Sequence, residues 1–146
     1  MDVRELPAPE TALAYQAMAE LRPHVVHEQD FIRRVNEIQR PQGYRLIAVF
    51  AAGDDQAVAV AGFRITDHLA WGRTLYCDDL STRAAHRRRG HSGALLDWML
   101  SEAQRQGCEQ FHLDSGVGPE RADAHRLYFN KGLRISSYHF VRVLSA

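Results

Sequence analysis

LYCDDLSTRAAHRRRGHSG, residues 75–93, decides how the rest of the chain is read. Leu75, Tyr76, Cys77 and Leu80 belong to a strand-like run over residues 73–82. A polar loop follows, Arg87, Arg88 and Arg89 stand in a row, and Gly90, Ser92 and Gly93 open a long periodic helix. The start of a helix presents backbone N–H groups without intrahelical partners, together with a partial positive charge. Small residues there let an anion approach the backbone, and arginine supplies forked donors for phosphate oxygens. The order strand, loop, arginines and small-residue helix start therefore implies a pyrophosphate cradle. It is not a P-loop, because GxxxxGK[ST] is absent, nor a dinucleotide fingerprint, because no GxGxxG follows a βαβ lead-in. A solvated basic loop would explain the three arginines alone, but not the small residues directly at the helix start.

Upstream, residues 44–51 (YRLIAVFA) and 57–65 (AVAVAGFRI) are rich in β-branched and aromatic residues, with a turn at Gly53, Asp54 and Asp55. The strands over 57–65 and 73–82 are expected to pair antiparallel. The first forty residues read as helical. Thr11 is a candidate cap for Leu13, Ala14, Ala17, Met18 and Leu21, stopped at Pro23, and a second helix carries Phe31, Ile32, Val35 and Ile38.

Downstream, Leu95, Leu96, Met99, Leu100 and Ala103 form one stripe on a helix over about residues 90–106, ended by Gly107. Residues 110–113 (QFHL) make a short strand. Pro119 suits the first turn of a further helix that reaches Asn130 or Lys131 and stops at Gly132. Residues 133–143 (LRISSYHFVRV) are expected to close the chain as one or two strands. The order ααβββαβαβ(β) predicts one mixed α/β (α+β) domain over residues 1–146.

Composition narrows the function. At 146 residues and 45% hydrophobic, the chain buries a real core, and 18 basic against 18 acidic residues argue against a general nucleic-acid binder. No run of about 18 apolar residues predicts a membrane span. Residues 1–7 lack the basic-then-apolar order of a secretory signal, and two cysteines without a CxxC fit a reducing cytoplasm better than a disulfide framework. His24 and His27 are the nearest approach to metal-ligand spacing but lack acidic or thiol partners, so no metal is expected.

Arg87-Arg88-Arg89-Gly90-His91-Ser92 resembles the [QR]-x-x-G-x-[GA] signature of the GNAT superfamily of N-acetyltransferases, with Ser92 in the place of the final Gly/Ala. Ala124-His125-Arg126-Leu127-Tyr128-Phe129-Asn130-Lys131-Gly132-Leu133 looks like that family's A-x-x-L-Y-x-x-x-G-F helix, with Leu133 replacing the phenylalanine. Arg121 stands where the family often has asparagine. The resemblance implies a mostly antiparallel central sheet flanked by helices, with a splayed strand that binds acetyl-CoA. It implies that Leu80, Ser81 and Thr82 pair with pantetheine. Arg87, Arg88, Arg89, Gly90, His91, Ser92 and Gly93 would then hold the pyrophosphate.

The reaction that the resemblance implies is direct attack of an amine on the thioester. It needs a neutral amine, donors for the developing oxyanion and a proton for the departing thiolate. Tyr128 is the expected proton donor: a phenol of pKa about 10 can serve a thiolate whose acid titrates near about 8.5 when placed closely. A tyrosine on a helix face is otherwise usually core. Asp79, Asp78, His112, Asp114 or a water chain can accept the amine's proton. Asp79 is preferred, with His112 and Asp114 behind it. Strict alternation puts Asp79 on the side of Leu75 and Cys77. The carboxylates Asp78, Asp79 and Asp114 point to a cationic amine on a small molecule or a protein.

The alternative is a non-catalytic acyl-CoA sensor or regulatory module of the same fold, which CoA release in the presence of amines would distinguish. Nucleic-acid binding through the arginines is disfavoured because no aromatics interleave them. The apolar final strand suits a homodimer.

Overall fold

A computed structural model describes residues 2–145. The chain divides into two compact units, Met1–Leu113 and Asp114–Ala146.

The first unit is built on a five-stranded sheet in the order β1-β2-β3-β4-β5. Its strands are β1 (Val3–Glu5), β2 (Arg45–Val49), β3 (Ala59–His68), β4 (Gly72–Thr82) and β5 (Gln110–Leu113). The first four pair antiparallel and β5 joins β4 in parallel. β1 is absent from the sequence reading because three residues before Pro7 give no periodicity to count. Both faces of the sheet are covered, so β2 and the first half of β3 are buried almost continuously rather than alternately. One face packs Leu46, Ala48 and Val60 against Ala17, Met18, Phe31 and Val35 from the N-terminal helices. On the other, Phe63 meets Trp98 of α3 (His91–Arg105) at 6.0 Å between ring centroids.

Leu95, Leu96 and Met99 of α3 are fully buried, each contributing about 1.5–3 kcal/mol by leaving water. Glu102 shares that buried face, at 6% exposed, because Arg45 Nη1 reaches it from β2 at 2.7 Å and Arg105 Nε at 2.6 Å. Arg105 above all, then Arg45 and Gln106, hold the Glu102 carboxyl down at about 2.

The N-terminal helices differ from the expected pair. Residues Ala8–Ala14 form a 3-10 helix begun at Pro7, and α1 (Tyr15–Leu21) continues it. Thr11 caps nothing: it is fully buried, donates to Asn36 Oδ1 at 2.7 Å and accepts from Arg40 Nη2 at 2.8 Å. α2 (Glu28–Arg33) passes without a break into a π-helix over Arg34–Gln39. A π-turn cannot be read from apolar spacing of three and four.

In the second unit, a 3-10 turn at Pro119–Arg121 leads into α4 (Ala122–Asn130). Gly132, at φ +85°, closes it, and the Leu133 N–H bonds back to Tyr128 O at 3.0 Å. The expected final strands do not form: residues 133–145 carry no strand, and Ile135, Tyr138, Phe140 and Val141 are exposed. A strand takes its hydrogen bonds from a neighbour, and apolar patterning alone supplies none. The homodimer expectation that relied on that strand has no strand to rest on. Among the described residues, no helix is long and apolar enough to cross a membrane.

Candidate active site

β4 serves two places along its length. Its ladder with β5 runs from Thr74–Gln110 to Cys77–Leu113, whereas its ladder with β3 continues to Thr82. Beyond Cys77 the strand is therefore paired on one side only among the described residues of this unit. At the same point it bulges: Asp79 faces Gly62 and Cys77 faces Phe63, which leaves Asp78 as an extra residue.

The bulge overturns the alternation that put Asp79 with Leu75 and Cys77. Those two are buried, while Tyr76, Asp78 and Asp79 all line a cavity of about 590 Å³. Met18, Arg22 and Phe31 contribute from the N-terminal segment, and Tyr44 and Arg64 from the sheet side.

Each carboxylate in that cavity has its own arginine. Arg22 Nε donates to Asp79 Oδ1 at 2.9 Å, and Tyr44 Oη donates to Asp79 Oδ2 at 2.8 Å, so both Asp79 oxygens are engaged. Arg64 donates twice to Asp78 Oδ2, at 3.0 and 2.6 Å, and once to Gln39 Oε1 at 2.7 Å. Both of these Asp78 bonds fall on the one oxygen, Oδ2. Burial raises the Asp78 carboxyl above its ordinary range despite Arg64 beside it. Burial first, then Asp79, lifts the Tyr44 phenol well above its ordinary value, so it stays a proton donor. Gly62 makes this possible: a Cβ there would land on the Tyr44 hydroxyl.

Cys77 does not join this chemistry. Its thiol is pushed up to about 12 by burial, then by Asp79 and Asp78, and Sγ donates to Asp79 O at 3.3 Å.

The other end of β4 leads to the loop expected to cradle a diphosphate. Leu80 and Thr82 are half-buried, and Ser81 is buried with its hydroxyl donating to Ala17 O at 2.8 Å. A 3-10 turn at Ala84–His86 follows, and Arg87, Arg88 and Arg89 are exposed. Arg88 (φ +63°) and Gly90 (φ +82°) take left-handed backbone, which folds the loop sharply back onto α3. No side chain caps α3, and its first internal bond runs from the Ala94 N–H to Gly90 O at 3.0 Å. His91 and Gly93 lie in this opening turn. Burial first, then His86 and Arg89, lowers the His91 imidazole. Ser92, the departure from the signature, bonds Thr82 Oγ1 through its own hydroxyl at 2.8 Å, tying helix start to strand end.

Nearby, His86 Nδ1 is buried without a hydrogen-bond partner, an unmet polar atom beside the loop. The uncapped helix start, the exposed guanidiniums and this orphaned nitrogen together fit a diphosphate-bearing ligand.

The remaining expected residues have partners of their own. His112 stacks on Trp71, 3.7 Å between centroids, and its Nε2 lies 2.6 Å from Gln110 Oε1. In the second unit, Asp114 is exposed and sits 3.2 Å from His139 Nδ1. Tyr128 is buried there at 8% exposed, with Arg121 Nη2 at 3.4 Å from its hydroxyl. Sequence reading missed Arg22, Tyr44 and Arg64. Arg64 alone left a signal, as a charged residue inside an otherwise apolar strand.

The chain belongs to the GNAT acetyltransferase family, whose pattern it matches over residues 11–132. Among its relatives is the Bacillus subtilis (strain 168) protein named "Uncharacterized N-acetyltransferase YhdJ", 33% identical over 132 residues, 90% of this chain and 89% of that one. In fold it is similar to the ribosomal-protein-alanine N-acetyltransferase of Brucella melitensis biovar Abortus 2308, with a TM-score of 0.80 and 16% identity over 98% of this chain and 100% of that one. It is also similar to the aminoglycoside N-acetyltransferase AAC(6')-Iy solved in complex with CoA, with a TM-score of 0.78 and 16% identity over 99% of this chain and 95% of that one.

Proposed function

We propose that this chain transfers an acetyl group from acetyl-CoA to a primary amine by direct attack within a ternary complex. The observation that carries the reading is that one strand, β4, runs from a bulge bearing two cavity-lining acids into an uncapped, arginine-flanked helix start. Acetyl-CoA supplies an activated acyl thioester. The residues of the chain do the rest. The 87–93 loop and the start of α3 hold the diphosphate, and β4 beyond Cys77 offers backbone groups to an extended amide-bearing chain.

Asp78 accepts the proton of the attacking amine. Its raised carboxyl and one unengaged oxygen suit it better than the preferred Asp79, which is held on both oxygens and positions the site instead. The amine nitrogen bonds to the acetyl carbon, the carbon–sulfur bond breaks, and the thiolate takes a proton from Tyr128. Cys77, a buried neutral thiol, argues against relay of the acetyl group through cysteine.

The test is CoA release by the purified chain over a panel of amines. Turnover supports the enzyme, and acetyl-CoA binding without thiol release on any amine supports a sensor. Tyr128→Phe is expected to lower kcat by roughly 10²–10⁴-fold with acetyl-CoA affinity retained. An unchanged kcat with chemistry shown to be limiting would remove Tyr128 from the reaction.

A further inference from the structure

The charged residues lining the cavity are Arg22, Arg34 and Arg64 against Asp78 and Asp79, with His24 beside them. Two of these arginines are committed: Arg22 to Asp79, and Arg64 to Asp78. Arg34 is different. Its carboxylate partner, Asp30, does not line the cavity and is shared with Arg33, which approaches it at 2.6 Å, while Arg34 Nε sits at 2.8 Å. The wall itself thus carries three arginines against two carboxylates, and Arg34 is the one whose carboxylate lies off the wall and is shared with a second arginine. A wall of this balance repels a polycation. It suits a molecule whose amine meets the acids and whose anion meets Arg34.

The backbone carries a second observation. Arg34 opens the π-helix, and the Arg40 N–H closes it onto Val35 O, five residues back. Such winding brings residues five apart over one another, and π-turns are rare elements found frequently at functional sites. Here it puts Arg34 and Gln39, five apart, on the same cavity, with Val35 between them. Gln39 in turn holds Arg64 at 2.7 Å. The π-turn thus links Arg34 to the arginine that orients Asp78. The rest of the lining includes Met18, Val25 and Phe31, which fit an apolar or aromatic body.

We propose that the cavity selects a small monoamine that also bears a carboxylate or phosphate, and that Arg34 is the residue that holds this anion. The proposal rests on the acetyl-transfer reading and adds the class of acceptor.

The experiment measures CoA release by the full chain on matched acceptors. Phenylalanine is paired with 2-phenylethylamine and 2-aminoethyl phosphate with ethanolamine, with spermidine as the polycation. Acetyl-CoA binding is followed separately by calorimetry. The anion-bearing member of at least one pair is expected to have a kcat/KM about tenfold or more higher, and the pair that responds tells carboxylate from phosphate. Arg34→Gln should erase that preference through KM, with kcat at saturation and acetyl-CoA affinity little changed. Preference for spermidine or for the uncharged-tail amines would overturn the proposal, as would a preference that survives Arg34→Gln. Turnover of none of them, with acetyl-CoA still bound, would also overturn it and leave the cradle standing. Failure to bind acetyl-CoA would bring down the underlying reading as well.

Discussion

Two sets of arginines border β4, and the molecule holds them in opposite ways. At the bulge, Arg22 and Arg64 are clamped on Asp79 and Asp78, whose side chains are only 16% and 25% exposed. At the strand's end, Arg87, Arg88 and Arg89 lie on the surface, and Arg87 Nε reaches Thr82 O at 3.3 Å. The first set spends its charge inside the protein, orienting carboxylates in a site where salt screens poorly. The second lies at the surface, where dissolved ions screen its charge. Preorganised acids at one end and adaptable cations at the other suit proton transfer and diphosphate capture respectively.

Four measurements break or sharpen that contrast. The largest effect is expected from Asp78→Asn, which should lower kcat by roughly 10²–10⁴-fold. Burial raises this carboxyl, so its base form appears only at a pH above the ordinary aspartate range of about 3.8. The acid limb of the kcat/KM profile should accordingly lie above that range and vanish in the variant. A limb that persists would assign the proton to another group. Next, Asp79→Ala strands the buried Tyr44 hydroxyl and the Arg22 guanidinium, and should cost about 2 kcal/mol in urea unfolding. A loss near zero would mean that the clamp is not structural.

Arg87→Ala combined with Arg89→Ala should raise the acetyl-CoA KM about tenfold at low salt, with the gap narrowing as salt is added. A gap independent of salt would place these arginines with the clamped set. The smallest effect belongs to Tyr44→Phe, about 1 kcal/mol or less, because Arg22 remains on Asp79. A loss as large as that of Asp79→Ala would make Tyr44 the stronger half of the clamp.

How much of this the residues disclose depends on range. β5 over Gln110–Leu113 and the helix from His91 to Arg105 follow directly from apolar runs and local stops, because both signals lie within the element itself. The strand–loop–helix order over residues 73–105 was legible for the same reason, because its parts are contiguous. The acid pair was legible as residue types but not as geometry. A bulge is set by what stands opposite, here Gly62 and Phe63, some sixteen residues earlier in the chain. Arg22 and Tyr44 were silent because their partners are 57 and 35 residues away. The absent final strand is the converse case. Residues 133–143 have a strand's composition, yet pairing is a property of two segments, and composition describes only one.

The inserted residue in β4 acts as a phase shift along the strand. Upstream of it, odd-numbered side chains such as Leu75 and Cys77 turn to the core; downstream, Asp79 turns to the cavity. Removing Asp78 altogether would therefore do more than subtract one carboxylate. It would restore strict alternation with Asp79 directly after Cys77, so Asp79 would keep the cavity side while the strand lost its local bend. The reading frame of this strand, as much as any side chain on it, sets both neighbouring acids on the cavity wall.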